Sequence, residues 1–440
     1  MPNTPVTIFW FRRDLRLHDN CGFFHALKNG GNVLPVFIFD TEILSKLENK
    51  KDARVEFIHT QLSKLKDEFE KHGSSLKIIY GSPELAFKRL SDKYKITAVY
   101  TNRDYEPYAK QRDAKILQLL SENSIAFHTF KDHVIFEKDE VLKPDGKPYT
   151  VFTPYSVRWK AAYANSVTES FPSEKLLDRL VKIAPFHTPS LEELTFEQSG
   201  IQVPDARLNE DLLKNYHNTR NTPSVAGTSN LSVHLRFGTV SIREMVALAK
   251  KYNEQFLNEL IWREFFQTIL WHFPQVVNTA FKKEYDEIKW TNNEEHFQAW
   301  CEGKTGYPMV DAGMRELNAK GLMHNRVRMV VASFLTKHLL IDWRWGEAYF
   351  AEKLLDFELA ANNGNWQWAA GCGCDAAPYF RVFNPTEQQK KFDPDFKYIK
   401  KWVPEFGTSN YPQPIVEHVF ARNRVLQVYK AALTREEVLL

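Results

Sequence analysis

The sequence has only four cysteines in 440 residues, so no disulfide framework holds it, and a chain long enough to bury large cores needs none. A reducing compartment is expected: the cytoplasm of a prokaryote, or the nucleus if the source is eukaryotic. Charge of one sign is also lacking, since 58 Lys and Arg stand against 55 Asp and Glu, a formal net charge of +3. That excludes a histone-like polycation and confines any nucleic-acid surface to a local patch. No run approaches about 18 uninterrupted apolar residues, the length that spans a bilayer. The apolar opening Thr7–Phe11 precedes Arg12 and Arg13, the reverse of a secretory signal, so no membrane is expected as a partner. Neither G-x-G-x-x-G nor G-x-x-x-x-G-K-[ST] occurs, which excludes the ordinary dinucleotide fingerprint and the P-loop. What is abundant is tryptophan. Nine of the 11 (Trp262, Trp271, Trp290, Trp300, Trp343, Trp345, Trp366, Trp368 and Trp402) lie beyond residue 260, and the chemistry is expected in that half.

Short β-rich runs at Val6–Phe11, Val33–Asp40, Leu76–Tyr80, Ile96–Thr101 and Ile125–Phe130 alternate with helical patterns at 52–72, 83–94 and 107–123. This alternation predicts a Rossmann-like α/β domain over residues 1–136, built on a parallel five-stranded sheet covered on both faces. From 137 to 205 the chain is polar and punctuated by proline, and reads as a long connector carrying short helices at most. From 206 to 440 apolar positions recur with a period of 3.6 over Ser241–Lys251, Glu254–Phe273, Met309–Lys320, Met323–Leu340 and Trp345–Leu355. The second domain is therefore expected to be all-α, and the fold class α/β plus all-α.

Four constellations stand out in the helical half. Leu355–Pro385 combines Gly and Ala, which let backbone approach a ligand, with Asp356, Asn362, Asn363, Asp375 and Arg381. It suits a buried planar ligand, and equally an interhelix loop capped by Asn and Asp. Gly227–Ser232 puts hydroxyls before a helix, as a phosphate site or a plain N-cap would. Asn258–Phe266 sets Glu259, Trp262 and Phe266 on one helix face, able to grip a planar base or simply to pack a core. In His324–Met329, Asn325, Arg328 and Met329 share a face with Arg326 displaced, and the arginines need anionic partners of some kind. Cys372 and Cys374 form a C-x-C without two further ligands at suitable spacing, so small buried thiols, and no metal, are expected.

Taken in order, Trp10–Asn20 (WFRRDLRLHDN), Gly227–Ser232 (GTSNLS), Trp262–Phe265 (WREF), Gly306–Arg315 (GYPMVDAGMR), Met323–Met329 (MHNRVRM) and the NGNWQW…DAAPYFRVFNP segment resemble the photolyase/cryptochrome family. The likeness is strongest to its class I cyclobutane pyrimidine dimer photolyases and runs from about residue 6 to about 420. It implies an all-helical FAD-binding domain and blue-light-driven electron transfer from reduced FAD to a flipped-out dimer in UV-damaged DNA, by a monomer. Tyr216, Thr228, Ser229, Leu231, Ser232 and Arg263 would contact FAD, with Asp356 and Glu358 on its ribose and adenine side and Arg328 pairing Asp356. Asn362 matches the residue beside flavin N5, where an amide oxygen can accept from N5–H. Trp366, Trp343 and Trp290 match the proximal, middle and distal members of the chain that photoreduces FAD. Glu259, Trp262, Asn325, Arg326, Met329 and Trp368 match positions that hold the dimer, whose poor stacking lowers the cost of extrusion. Arg220, Arg326 and Arg381 would meet phosphates around the lesion. A (6-4) photolyase would carry a histidine pair where this chain has His324 followed by Asn325. A cryptochrome signalling through a protein partner is the other alternative; Asn362 at the N5 position and the short run after Glu417-His418 point away from it. A folate antenna would be bound through an Asn-Glu pair where Tyr108 and Ala109 stand, so none is expected. A deazaflavin, another flavin or no second chromophore remains open for a cleft lined by Arg12, Asp40, Arg54 and Asp104.

Overall fold

The computed structural model describes residues 5–166, 169–206 and 208–434. Contacts divide the chain into two compact units, one of Met1–Glu140, Lys160–Asp205 and Leu231–Lys251, the other of Val141–Trp159, Ala206–Asn230 and Tyr252–Leu440.

The first is a sheet unit: β1 (Val6–Phe11), α1 (Cys21–Gly30), β2 (Val33–Asp40), the single turn α2 (Thr41–Leu44), α3 (Ala53–Lys71), β3 (Lys77–Gly81), α4 (Pro83–Lys93), β4 (Ile96–Asn102), α5 (Pro107–Glu122) and β5 (Ala126–Phe130). All neighbouring strands are parallel, in the order β3-β2-β1-β4-β5. Every residue of β1 and β2 is buried, as central strands covered on both faces must be, and this is why they read as unbroken apolar runs. The helix α1 went unpredicted. Asn20 caps it by accepting from Phe23 N, and Phe23, Ala26 and Leu27 face inward. That short cap-plus-stripe signal was legible at Asn20, but four apolar positions in ten residues are weak periodicity.

The stretch 137–205 is more than a connector. It holds the 14-residue α6 (Phe152–Asn165), and further on Val181 N donates to Val33 O at 3.0 Å and Ile183 N to Gly73 O at 3.1 Å, which docks it on the sheet unit. Likewise α8 (Leu231–Phe237) and α9 (Ile242–Tyr252), expected in the helical domain, group with the sheet unit as far as Lys251.

The helical unit contains α7 (Glu210–Thr219), α10 (Glu254–His272), α11 (Glu294–Glu302), α12 (Pro308–Lys320), α13 (Asn325–Ser333), α14 (Trp343–Lys353), α15 (Leu359–Ala370), α16 (Pro385–Phe392), α17 (Lys397–Trp402) and α18 (His418–Thr434). Its core gathers Trp300, Val310, Val331, Phe334, Trp343, Phe350 and Trp366. The single helix expected over Met323–Leu340 starts later, because His324 caps α13 by accepting from Arg326 N, and ends in a π turn at Phe334–His338. Leu340, at φ 54°, stops it. The segment that reads equally as ligand site or Gly-rich loop is helical over Leu359–Ala370 and closes on Gly371 at φ 93°. Its Asn-Asn-Gly-Asn composition hides the helix, since those residues have low intrinsic helix propensity; burial of Ala360, Asn363, Trp366 and Gln367 overrides that preference.

Candidate active site

One wall of the site is α10, started by Asn253, which accepts from Phe256 N at 3.0 Å. Glu259, one turn in, receives Arg220 at 2.9 Å and Gln255 Nε2 at 3.0 Å, and both bonds fall on Oε1. The second carboxylate oxygen stays available. Arg326 lies against the same corner, its guanidinium 4.4 Å from the Phe392 ring centroid. It donates to Asn221 Oδ1 at 2.8 Å and to Met329 Sδ at 3.5 Å. Arg220 and Arg326, expected at phosphates, are thus partly buried around the Glu259 carboxylate, and the i, i+3 pair Arg326–Met329 meets although Arg326 was read as displaced. Asn325 and Arg381 are exposed. So is Phe380, which sequence reading passed over and which is 61% exposed beside Arg381.

Burial, reinforced by the cations of Arg326, Arg328 and Arg220, pushes the His324 imidazole down to about 4, so it is neutral at physiological pH. Its Nδ1 accepts from Arg326 N at 3.2 Å, which places the proton on Nε2, a buried atom with no hydrogen-bond partner among the described residues. Trp262 is half-buried and lies flat on Phe152, centroids 3.7 Å apart at 5°. The stacking wall predicted from Trp262 is therefore two rings deep. Phe152 is 110 residues away in sequence and carried no local signal. Trp368 is half-buried on α15.

A second group surrounds the start of α15. Glu358 is buried and accepts from Arg263 at 3.2 Å and Gln267 at 3.0 Å. Arg328 holds Asp356 through two bonds of 2.9 and 3.3 Å, the fork geometry that suits a carboxylate. Asn362 donates its amide N–H to Glu347 O at 3.0 Å, which turns its Oδ1 outward as an acceptor. The neighbouring Asn363 donates to Glu347 Oε1 at 3.1 Å. Burial pushes Glu347 up to about 7, against the opposing pull of Asn363 and Arg344; no local signal in the chain singles out this carboxyl. Tyr216, buried at the end of α7, stands edge-on to Phe256 at 5.0 Å. Thr228 and Ser229 sit in the loop before Asn230, whose φ is 56°. Leu231 and Ser232 open α8, on the sheet unit's side of the division.

Does this donor set fit a flavin dinucleotide? It offers hydroxyls in a loop, two cation–carboxylate pairs and a backward-tethered amide acceptor. The Asn258 Oδ1 and Arg326 Nε atoms are buried without a hydrogen-bond partner among the described residues, and buried polar atoms left unpaired call for a partner. The residues present fit such a group.

The tryptophans separate by environment. Trp366 is 2% exposed and Trp343 1%, whereas Trp290 is half-buried and edge-on to Tyr429 at 6.0 Å. The Arg344 guanidinium stands 4.6 Å from the Trp343 ring and is itself held by Asp286 at 2.6 Å and Asp342 at 3.3 Å. The rings packed on Trp366 are Phe350 at 5.0 Å and Trp300 at 6.1 Å.

At the carboxyl ends of β1 and β4 strand order reverses, the place where open sheets take ligands, and the expected cleft residues Arg12, Asp40, Arg54 and Asp104 each bond a residue outside that set. Arg12 and Arg112 share Asp113 Oδ1, at 2.6 and 2.9 Å, and Arg12 also donates to Asn102 O. Both guanidiniums stand 4.9 Å from the Trp10 ring. Tyr108 donates to Asp40 Oδ2 at 2.5 Å. Asp104 receives Arg13 at 3.1 Å, and Arg54 turns to Asp52 two residues away.

Fold and site together define a two-unit protein: a doubly wound sheet, and a helical unit with a polar, tryptophan-rooted site for a large planar cofactor. Residues 7–175 match the sequence model of DNA photolyase, and residues 256–409 that of the FAD binding domain of DNA photolyase. The deoxyribodipyrimidine photo-lyase of Synechococcus sp. is 36% identical over 98% of this chain and 98% of its own length. A bacterial class III photolyase from Agrobacterium tumefaciens superposes with a TM-score of 0.86 at 32% identity, covering 99% of this chain and 98% of its own. An archaeal photolyase from Sulfolobus tokodaii, solved with two FAD molecules, gives 0.83 at 38% over 97% and 100%. The chain belongs to the DNA photolyase family. No helix among its described residues is long and apolar enough to cross a membrane.

Proposed function

We propose that this protein is a light-driven carbon–carbon lyase that splits cyclobutane pyrimidine dimers in DNA, with FAD as its cofactor. The observation that carries the reading is Glu259. Arg220 and Gln255 both bond its Oε1, which fixes the carboxylate while its other oxygen is left to accept from a pyrimidine N–H. The stacked Trp262–Phe152 pair supplies an apolar plane beside it, and Met329, positioned by Arg326, a soft contact. His324 Nε2–H and the Trp368 ring are further groups for an extruded base. Exposed Arg381 meets phosphate, and Phe380 next to it can occupy space left in an opened stack.

FAD, when bound and reduced, supplies light absorption and one-electron donation. The chain's own residues hold it: Arg263, Glu358, Arg328 and Asp356 fix one side, and Tyr216, Thr228 and Ser229 the diphosphate side. Asn362, tethered to Glu347, keeps an acceptor at N5. Trp366, Trp343 and Trp290 return electrons from the surface. All these side chains come from one chain, so a monomer suffices. The sheet unit is left open to a second chromophore, a deazaflavin, another flavin or none; the similar archaeal photolyase was solved with two FAD molecules.

The test is direct. The purified protein with reduced FAD should convert thymine dimers in an oligonucleotide to thymines under blue light and not in the dark. Glu259→Ala should weaken binding to the dimer by about 1–3 kcal/mol, the loss expected when a polar group of the bound base is left unpaired, with binding to undamaged DNA unchanged. Retained photoreduction without dimer turnover would overturn the reading in favour of a photoreceptor.

A further inference from the structure

The ring geometry on the far side of Trp366 describes a second way out of the core. Trp300, on α11, is fully buried and meets Trp366 edge-to-face, centroids 6.1 Å apart at 71°. Phe350 fills the corner between them, 5.0 Å from Trp366 and 6.1 Å from Trp300. Beyond Trp300 stands Tyr349, 5.7 Å away at 63°. The Tyr349 phenol donates to Asn318 Oδ1 at 2.6 Å, at the exposed surface, and to Cys301 O at 3.2 Å. The three oxidisable rings therefore form an unbroken series from deep core to solvent in two contacts.

We infer that Trp366, Trp300 and Tyr349 form a second electron-supply branch, distinct from the route through Trp343 and Trp290, which ends on a tyrosine. This rests on the reading of Trp366 as the ring beside the flavin. The first step is shared: Trp366 gives one electron to light-excited oxidised FAD. Trp300 then gives one electron to oxidised Trp366. Trp300 cannot hold the charge by losing a proton to water, because its ring is buried and its indole N–H donates to Val331 O at 3.1 Å. Tyr349 refills it: one electron passes from the phenol to Trp300, the phenolic O–H bond breaks, and its proton leaves to solvent water along the Asn318 edge. The net change is one electron to the flavin, one proton to bulk water and a neutral tyrosyl radical. Burial first, and the neighbouring Cys301 next, raise the Tyr349 pKa, so the proton stays in place until oxidation releases it. The charged groups around the ring are Lys353, 5.4 Å above it, and Glu352 and Glu302.

The experiment uses the full chain with oxidised FAD, flash excitation, and detection of amino-acid radicals by transient absorption and electron paramagnetic resonance. Trp343→Phe should keep a long-lived tyrosyl signal. Adding Tyr349→Phe, which removes one oxygen atom, or Trp300→Phe should abolish that signal while the bound flavin spectrum stays as in the parent. Trp366→Phe separates this inference from the reading beneath it. If that variant loses all long-lived radicals and Trp343→Phe also loses them, the main route stands and the branch falls. If Trp366→Phe loses none, the electron-chain reading fails and the branch with it. A tyrosyl signal that survives Tyr349→Phe in the Trp343→Phe background overturns the branch as well.

Discussion

The two units treat an indole in opposite ways. In the sheet unit Trp10 is clasped by two guanidiniums, each 4.9 Å from its ring. In the helical unit Trp366 is clasped by Phe350 and Trp300. Arginine over a π face stabilises the neutral ring through its quadrupole and opposes a positive charge on it, by roughly 3 kcal/mol per guanidinium at this separation before Asp113 is counted. Aromatic neighbours pack without that penalty. Trp10 is thus a structural brace, while the surroundings of Trp366 suit the conducting role proposed for it; Trp343, with Arg344 4.6 Å from its ring, relies on Asp286 and Asp342 to offset that cation.

The comparison breaks first, and most completely, at the two rings themselves. Trp366→Phe should abolish photoreduction of bound FAD in steady blue light, whereas Trp10→Phe should leave its rate unchanged; equal rates in both variants would dissolve the contrast. The next largest effect tests the clasp. Asp113→Asn leaves Arg12 and Arg112, both buried, without their shared carboxylate and should destabilise the sheet unit by about 3 kcal/mol, measured by urea unfolding, with the flavin spectrum untouched. The smallest concerns the carboxyl behind the conductor. Glu347 is raised from 4.5 to about 7 by burial, so between these values the folded state holds a proton that the unfolded state has lost. Stability present below pH 4.5 therefore falls as pH rises through 7. Glu347→Gln should remove that slope and stabilise the protein at pH 8 by about 3 kcal/mol, read as melting temperature against pH.

Much of this was legible in the chain. The central strands β1 and β2 announced themselves because parallel strands buried on both faces are apolar runs. The partly exposed edge strands β3 and β5 were read from their β-branched and aromatic residues between turn signals. The residues proposed for the lesion and the cofactor were suggested by the resemblance of their motifs to a known family and not by local pattern alone. What stayed hidden depends on tertiary contact. Phe152 against Trp262, Arg220 against Glu259, and Glu347 behind Asn362 each join residues whose local sequence favours neither partner. The α15 helix was hidden for the opposite reason, since its local signal was present and misleading: Asn and Gly disfavour helix, and only the surrounding core makes them helical. Arg54 showed the same limit, since it pairs with Asp52 two residues away.

Gly346 carries a consequence for how this site can change over generations. A Cβ there would lie 2.1 Å from Trp366 Cη2 and 2.6 Å from Leu335 Cδ2, so the glycine and the indole occupy one shared volume. Neither position can drift alone. Descendants that enlarge residue 346 must first shrink residue 366, the ring proposed as the innermost conductor, so on that proposal selection for light-driven reduction also preserves a glycine that never touches an electron.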